Sequence, residues 1–246
     1  MKKTLSLILL FRWRLSAAVA FFLCVFSGMA QDMSFDHLTI DQGLSSNTIY
    51  AITEDADGFL WFGSRYGLNR YDGYEFKTYQ ADLSDSLSLH DNHVQALFCD
   101  REGNIWAGLR DGGISVLNRT EQVFRKNPFP EDIPIPWEDL SVETIFQDSR
   151  GNIWIGTLGM GAIRIRPDSS GYLHLWTGNE QEEHRLSSDF AFSFVEDLWG
   201  RIWIGTSGAE INCYDLVTNR SQQVGYTEEV EEDLSSYSKA LHLGGD

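Results

Sequence analysis

A seven-residue pattern occurs four times in this chain of 246 residues and restricts the folds that the chain can adopt. Each copy begins with Asp, has Gly three residues later and ends on Trp, and a second Gly follows two residues after the Trp. Successive tryptophans are 45, 48 and 49 residues apart, a period typical of repeat proteins in which each unit forms one small sheet. The repeated positions are Asp55, Gly58, Trp61 and Gly63; Asp100, Gly103, Trp106 and Gly108; Asp148, Gly151, Trp154 and Gly156; and Asp197, Gly200, Trp203 and Gly205.

The pattern predicts a tight turn that leads into a short buried strand. Asp and Gly separated by two residues are turn chemistry, because Asp caps the turn with its side chain and Gly adopts the positive φ that closes it. Alternation along the following strand places Ile153 and Ile155 on one face and Trp154 and Gly156 on the other. Both faces are then apolar and must be covered by neighbouring sheets, as in the blades of a β-propeller.

A second turn and two further short strands follow each copy, so every repeat predicts one four-stranded antiparallel sheet. We therefore predict an all-β fold, a β-propeller with about four blades and a partial fifth in an incomplete ring, preceded by a signal peptide. The propeller domain is expected at residues 31–246, with blades at 41–80, 88–126, 139–177 and 187–225 and the start of a fifth at 234–246.

The two ends of the repeat region support this arrangement. Residues 35–38 resemble the fourth-strand segment of the first repeat and are candidates to complete the last blade of a closed ring. Residues 240–246 repeat the residue spacing of 49–55, the first strand and turn of the first repeat. We therefore expect the chain to be an N-terminal fragment that stops inside a fifth blade.

Residues 1–30 have the features of a signal peptide. Basic residues end at Arg14, an uncharged apolar run extends from Leu15 to Phe26, and Ser27–Ala30 supplies small residues where a signal peptidase cleaves. The alternative is an uncleaved anchor, but the apolar run is short for a bilayer, which takes about 20 residues. We expect an exported, periplasmic protein.

Charge and cysteine content exclude several classes of function. The net charge is -17, and such a surface repels phosphate backbones and anionic lipid headgroups, so we expect no nucleic acid to be bound. After the leader only Cys99 and Cys213 remain, at different positions of the repeat, and we predict buried free thiols rather than a disulfide framework. The sequence has no clustered Cys/His ligands, and we expect neither metal nor cofactor.

Residues 41–73, which run from Asp41-Gln-Gly-Leu-Ser-Ser-Asn to Gly-Leu-Asn-Arg-Tyr-Asp-Gly73, closely resemble the two-component regulator propeller repeat. The resemblance extends over essentially the whole chain. It implies the periplasmic sensor of a hybrid two-component receptor of the Bacteroidetes type, with an oligosaccharide as ligand. The rest of such a receptor would contribute further blades, a β-sandwich, a membrane helix, a histidine kinase, a receiver and a DNA-binding helix-turn-helix. We expect the full-length parent to be a homodimer.

The residues that recur in every repeat are best explained by structure. The four tryptophans are candidates for a sugar-stacking platform and the four aspartates for catalytic carboxylates, but their equal spacing favours core packing and turn capping. His90 and His93 share one loop and are candidates for a metal site, although no third ligand is apparent. We identify no catalytic residue.

Ligand binding should involve residues that differ between repeats, on the loops at one face of the propeller. The turn after the Trp strand carries Arg65 and Tyr66 in the first repeat and Arg110 and Asp111 in the second. Trp137 lies in a long proline-rich connection before the third repeat. Arg beside an aromatic ring suits an anionic or hydroxylated ligand, so these five residues are the predicted ligand-binding residues.

The leading hypothesis is a sensory propeller that is not an enzyme and controls a kinase located elsewhere in its receptor. Two alternatives remain open. A secreted enzyme, related to the streptogramin-inactivating lyases, would require His and Glu residues that converge at one mouth of the propeller. A docking scaffold would bind a protein partner and no small molecule.

Overall fold

The structure is a computed structural model that describes residues 35, 37–129, 133–166, 171–208 and 210–225. The predicted signal peptide and the predicted start of a fifth blade lie outside the described residues. The chain divides into two units, Met1–His37 and Leu38–Asp246, and the strands all belong to the second.

The described residues contain few helical segments. Three short 3-10 helices occur, at Ile40–Gln42, Trp137–Asp139 and Glu182–His184. Phe35, His37 and Leu38 lie outside the strands, so the strand expected at residues 35–38 is not confirmed. Within the described part of the chain, no helix has the length and apolar character needed to cross a bilayer.

Sixteen strands in the described residues form four antiparallel sheets of four strands each. Each sheet is a meander in which the strands follow one another in chain order, and we name the sheets blades 1 to 4. The predicted all-β propeller architecture is confirmed. The strands are β1 (Ile49–Glu54), β2 (Leu60–Ser64), β3 (Gly67–Tyr71) and β4 (Phe76–Tyr79) in blade 1; β5 (Val94–Cys99), β6 (Ile105–Leu109), β7 (Ile114–Leu117) and β8 (Phe124–Lys126) in blade 2; β9 (Val142–Gln147), β10 (Ile153–Thr157), β11 (Ala162–Ile165) and β12 (Tyr172–Leu175) in blade 3; and β13 (Ala191–Glu196), β14 (Arg201–Thr206), β15 (Glu210–Asp215) and β16 (Arg220–Gly225) in blade 4.

The first strands of consecutive blades lie side by side, with β1 next to β5, β5 next to β9 and β9 next to β13. Blades that stack radially bring their innermost strands together in this way, because each blade extends outward from its first strand. The N-terminal ends of these four strands therefore meet at one end of the assembly, together with the turns that follow the second strands.

The Trp-bearing face of one blade packs against the aliphatic face of the next. Trp61 of blade 1 shares a buried cluster with Ile105 of blade 2, and Trp154 of blade 3 shares one with Ile202 of blade 4. Trp106 packs on the cluster between blades 2 and 3. The apolar core is thus divided into layers between the sheets, as the alternation of residues along the Trp strand predicts.

The four repeated tryptophans are not equally buried. Trp61 and Trp154 are buried, whereas Trp106 and Trp203 are half-buried. Trp106 borders a cleft of about 300 Å³ between blades 2 and 3. The ring of Trp203 is covered by Arg201, whose guanidinium carbon lies 5.3 Å from the ring centroid. Trp61 and Trp154 therefore pack in a continuous core, whereas Trp106 and Trp203 are only partly enclosed.

The repeated Asp connects its turn to the indole of the Trp strand. In each blade one carboxylate oxygen accepts a hydrogen bond from the Trp Nε1, at 2.7 Å from Trp61 and Trp106 and 2.9 Å from Trp154 and Trp203. The other oxygen accepts from the backbone N–H four residues after the Asp, which belongs to the turn. The Gly between them has φ between +75° and +84°, a conformation that favours glycine.

In blade 4 the carboxylate of this motif, Asp197, is held in its charged form. Burial raises the pKa of Asp197, but the hydrogen bonds donated by Trp203 and Arg201 outweigh burial, and the pKa lies below its ordinary value. The stabilisation from this group is therefore present above the unfolded-state pKa of about 4 and is lost as the pH falls through the lower folded-state pKa.

The second repeated Gly allows the next blade to approach closely. A Cβ at Gly63 would lie 2.8 Å from Val94 Cγ1, and a Cβ at Gly156 would lie 2.6 Å from the carbonyl oxygen of Ala191. Real Cβ atoms essentially never come this close to other heavy atoms. Glycine is therefore required at this position because the next blade packs against it, and not because of the conformation of its own strand.

Removal of the Asp148 carboxylate should destabilise the protein strongly. Asp148→Ala leaves Trp154 Nε1, Asn152 Nδ2 and two backbone N–H groups of the turn without their acceptor, and we expect a loss of roughly 3 kcal/mol in the free energy of unfolding. Urea unfolding measures this change in the free energy of unfolding. Glu102→Ala, at an exposed carboxylate in the equivalent turn of blade 2, is the control and should change stability by less than about 0.5 kcal/mol. Equal effects of the two variants would contradict the role given to Asp148.

A side chain at Gly156 should force blades 3 and 4 apart. Gly156→Ala brings the new Cβ against the Ala191 carbonyl and Thr144 Cγ2, each at 2.6 Å, and we expect a loss of roughly 2 kcal/mol. Gly225→Ala is the matched control, because its Cβ position has no atom of the described residues within 4 Å apart from its chain neighbours, and its free energy of unfolding should stay within about 0.5 kcal/mol of the parent. Thermal melts give the melting temperatures of both variants. An unchanged melting temperature for Gly156→Ala would contradict the close approach of blades 3 and 4 at Gly156.

Candidate ligand-binding site

The turns after the second strands are tied to the neighbouring blade by backbone hydrogen bonds. Gly67 N–H donates to the carbonyl of Asn92 at 2.8 Å, Gly113 N–H to that of Leu140 at 3.0 Å, and Gly161 N–H to that of Asp189 at 2.7 Å. Each acceptor lies in the segment that leads into the first strand of the following blade. The loops at this end are thus held in place by main chain, while their side chains are free to differ.

A bulge in every first strand adds a second variable position at the same end. The register of β1, β5, β9 and β13 against the Trp strand shifts once, and the residue at the shift is Tyr50, Gln95, Glu143 or Phe192. Bulges commonly occur next to functional sites, where they redirect a side chain. Gln95 Nε2 donates to Glu143 Oε2 at 3.5 Å, so the bulge residues of blades 2 and 3 are in contact with each other.

The predicted residues Arg65, Tyr66, Arg110 and Asp111 are all exposed at this end, on the turns of blades 1 and 2. His93, which leads into β5, lies between the two turns. Its carbonyl accepts a hydrogen bond from Arg110 N–H at 3.0 Å, and its ring centroid lies 5.0 Å from that of Tyr50. We name Tyr50, Arg65, His93, Arg110 and Asp111 the junction cluster.

Charged groups of both signs surround the ring of His93 in the junction cluster, and the positive ones have the larger effect on it. Burial lowers the pKa of His93, and the charges of Arg110 and Arg65 lower it further, against the opposing effect of Asp91 and Asp111. His93 is therefore neutral at pH 7. Its Nε2 is buried and has no hydrogen-bond partner among the described residues.

The guanidinium groups of Arg65 and Arg110 form no ion pair and no hydrogen bond within the described residues. Arg119 pairs with Asp57 and Arg201 with Asp197, both at 2.7 Å, so other arginines of the chain do have carboxylate partners. The chain has 36 acidic and 19 basic residues, so acidic partners are abundant. Two arginines at one junction are thus left with open donors.

Trp137, the fifth residue that the sequence analysis placed among the ligand-binding residues, is buried in the core cluster between blades 2 and 3. It is 9% exposed and packs on Phe129, with ring centroids 4.3 Å apart. Leu44, Leu89 and Leu186 are buried in the other blades, and each of the four residues precedes its repeated Trp by 17 positions. Trp137 therefore fills a core position of the repeat, and its position in the repeat would have revealed this.

His93 and Tyr50 were not predicted as ligand-binding residues. His93 was considered only with His90, as a candidate for a metal site. The residues around its ring come from three separate stretches of sequence. Among the described residues, no group of three or more His, Cys, Asp or Glu side chains could hold a metal.

The two cysteines of the propeller region are free, as predicted. Burial raises the pKa of the thiols of Cys99 and Cys213, so both stay protonated at neutral pH. Neither of them is a poised nucleophile.

A model of the two-component regulator propeller family matches residues 43–66, 88–111 and 137–159. Each matched range contains one Asp-Gly-Trp pattern and ends in the turn that follows the Trp strand. Three of the four repeats thus match the two-component regulator propeller repeat. The resemblance identified from residues 41–73 is therefore confirmed.

Similar proteins extend this finding. Histidine kinase P4 of Formosa agariphila is 42% identical over 55 residues, which cover 22% of this chain and 4% of the kinase. The extracellular domain of a hybrid two-component system from B. thetaiotaomicron has a TM-score of 0.66 at 24% identity, over 77% of this chain and 26% of that domain. Virginiamycin B lyase from Staphylococcus aureus has a TM-score of 0.56 at 13% identity, over 77% of this chain and 57% of the lyase.

These regulator propeller repeats predict that Trp137 can be replaced by leucine. Trp137→Leu restores the residue found at this position in the other three blades and removes an indole N–H that is buried without a partner among the described residues. The free energy of unfolding should therefore fall by less than about 1.5 kcal/mol. Trp154→Leu removes the hydrogen-bond donor to Asp148 and should lower the free energy of unfolding by more than about 3 kcal/mol. Chemical denaturation measures the free energy of unfolding of both variants. A larger loss for Trp137→Leu than for Trp154→Leu would contradict the assignment of Trp137 to the position that leucine occupies in the other blades.

Proposed function

We propose that this chain is the ligand-sensing part of a two-component receptor, lies outside the cytoplasm and responds to an oligosaccharide. The regulator propeller repeats and the likeness to the extracellular domain of a hybrid two-component system support it. In this proposal the kinase lies in another part of the receptor, the parent receptor is a homodimer, and the propeller itself performs no catalysis.

The observation that carries the proposal is the separation of constant and variable residues. The Asp, Gly and Trp residues that build the blades recur in all four repeats. The Asp and Trp side chains are engaged in hydrogen bonds within the blade and in packing between blades. The turns and bulges at the other end of the Trp strands differ from blade to blade. A rigid scaffold with different side chains on one end is suited to binding a ligand rather than to joining identical units.

A ligand at the junction cluster would contact two blades at once, because Arg65 belongs to blade 1 and Arg110 to blade 2. A ligand shifts a receptor between two arrangements only if it binds one of them more tightly. Contacts that require a fixed distance between two blades provide such a difference. The signal to the kinase would then depend on the relative position of the blades.

The likeness to virginiamycin B lyase keeps a second function open, that of a secreted lyase. Such an enzyme needs a general base that can reach its substrate. Of the described histidines, His93 lies in the junction cluster, but its Nε2 is buried. Conversion of a cyclic streptogramin by the purified chain, lost in His93→Gln, would favour the lyase over the sensor.

The sensor proposal predicts that the chain binds glycans and that Tyr66 contributes to binding. Tyr66 is 56% exposed beside Arg65, and an exposed ring of this kind can stack on a sugar. Calorimetry with a panel of neutral and acidic oligosaccharides should find saturable binding, weakened about tenfold by Tyr66→Ala. Tyr172→Ala, at a 40% exposed tyrosine on β12, is the control and should bind as the parent does.

The same panel should change the autophosphorylation rate of the complete receptor in membrane vesicles. Binding without this response would remove the signalling part of the proposal. If no glycan binds the chain and none changes phosphorylation, the sensor proposal is wrong as a whole.

A further inference from the structure

Two arginines with open donors face the same junction from different blades. Arg65 is held by the turn whose Gly67 N–H binds the Asn92 carbonyl, and Arg110 by its own N–H bond to the His93 carbonyl. The backbone on both sides of the junction is thus fixed before any ligand arrives. Because the backbone is already ordered, ligand binding has to order only the two arginine side chains.

The charges of the two arginines are only partly compensated at this junction. Asp91 and Asp111 act on His93 in the opposite direction, each with a smaller effect than either arginine, and neither forms an ion pair with Arg65 or Arg110. The effect of both arginines on His93 indicates that their positive charges act on the same small volume. Two cations that share a volume repel each other, and an anion placed between them removes this repulsion.

We propose that the junction cluster binds the anionic group of an acidic oligosaccharide, a carboxylate or a sulfate, with Arg65 and Arg110 as its ligands. The inference rests on the proposed sensor function and narrows its ligand from glycans in general to acidic ones. Guanidinium groups bind such oxyanions through paired, charge-assisted hydrogen bonds. Tyr50, which is 40% exposed and packs on His93, provides a ring surface for the attached sugar.

Binding at this site is coupled to the charge of His93. The charged groups that face His93 are Arg65 and Arg110 from the two turns and Asp91 and Asp111 from the same blade, and Tyr50 packs on the ring from β1. An anion beside this ring favours the imidazolium, so it raises the pKa of His93 in the complex. Affinity therefore increases as the pH falls from 8 towards 5.5, until the anion of the ligand itself takes up a proton.

Calorimetry with matched ligands tests the inference directly. The probes are trigalacturonate, its fully methyl-esterified form, which is neutral, and a sulfated galactose trisaccharide. We expect the methyl ester to bind at least tenfold more weakly than trigalacturonate. The tighter of the two acidic probes identifies whether the group is a carboxylate or a sulfate.

Variants of the full chain locate the site. Arg65→Gln and Arg110→Gln should each weaken the binding of the preferred acidic probe about tenfold, since each removes a charge-assisted hydrogen bond. Arg220→Gln is the matched control, because Arg220 is exposed on β16 of blade 4, has no partner within the described residues and carries the same charge. His93→Gln should abolish the increase in affinity at low pH. Arg65 and Arg110 are exposed, so all three Arg→Gln variants should keep the parent melting temperature.

The outcomes separate this inference from the sensor proposal. Equal affinity for trigalacturonate and its methyl ester, or equal loss in Arg65→Gln and Arg220→Gln, overturns the acidic-ligand inference and leaves a sensor of neutral glycans standing. Absence of binding for every glycan, neutral or acidic, overturns both.

Discussion

The hydrogen bond between the repeated aspartate and the indole of the Trp strand is the interaction on which the blades depend. One carboxylate closes the turn through its backbone contacts and fixes the strand that follows through Trp Nε1. The turn, the start of the strand and the ring that fills the space between blades are thus positioned by one side chain. In all four blades the oxygens of this carboxylate are occupied by hydrogen bonds from the turn and from the indole, so the side chain serves structure rather than chemistry.

The contact between blades follows from the same strand. Its two faces pack on different neighbours, Trp on one side and Ile on the other, and the glycine after the Trp allows the next first strand to come close. The innermost strands are thereby brought together at one end. Arg65 and Arg110, which are 45 residues apart in the sequence, then flank His93. The candidate site is a product of blade packing rather than of any local motif.

The fold was predictable because the pattern of Asp, Gly and Trp repeats with almost constant spacing, and each residue has a local reason for its position. Arg65, Tyr66, Arg110 and Asp111 were also predictable as surface residues, since they occupy variable turns. The burial of Trp137 was predictable as well, because it precedes Trp154 by 17 residues, the spacing of a buried leucine in the other three blades. Two features were not. His93 depends on neighbours from two blades, and the partial exposure of Trp106 depends on how closely blades 2 and 3 approach each other.

Hydrogen exchange of the indole N–H groups, followed by nuclear magnetic resonance on tryptophan-labelled protein, measures whether the repeated aspartates hold the Trp strands. Trp199, which is 74% exposed, provides the internal reference. We expect the N–H groups of Trp61, Trp106, Trp154 and Trp203 all to exchange far more slowly than that of Trp199, because each donates to its aspartate. If these four groups exchange at the rate of Trp199, the hydrogen bond between Asp and Trp does not hold the blades.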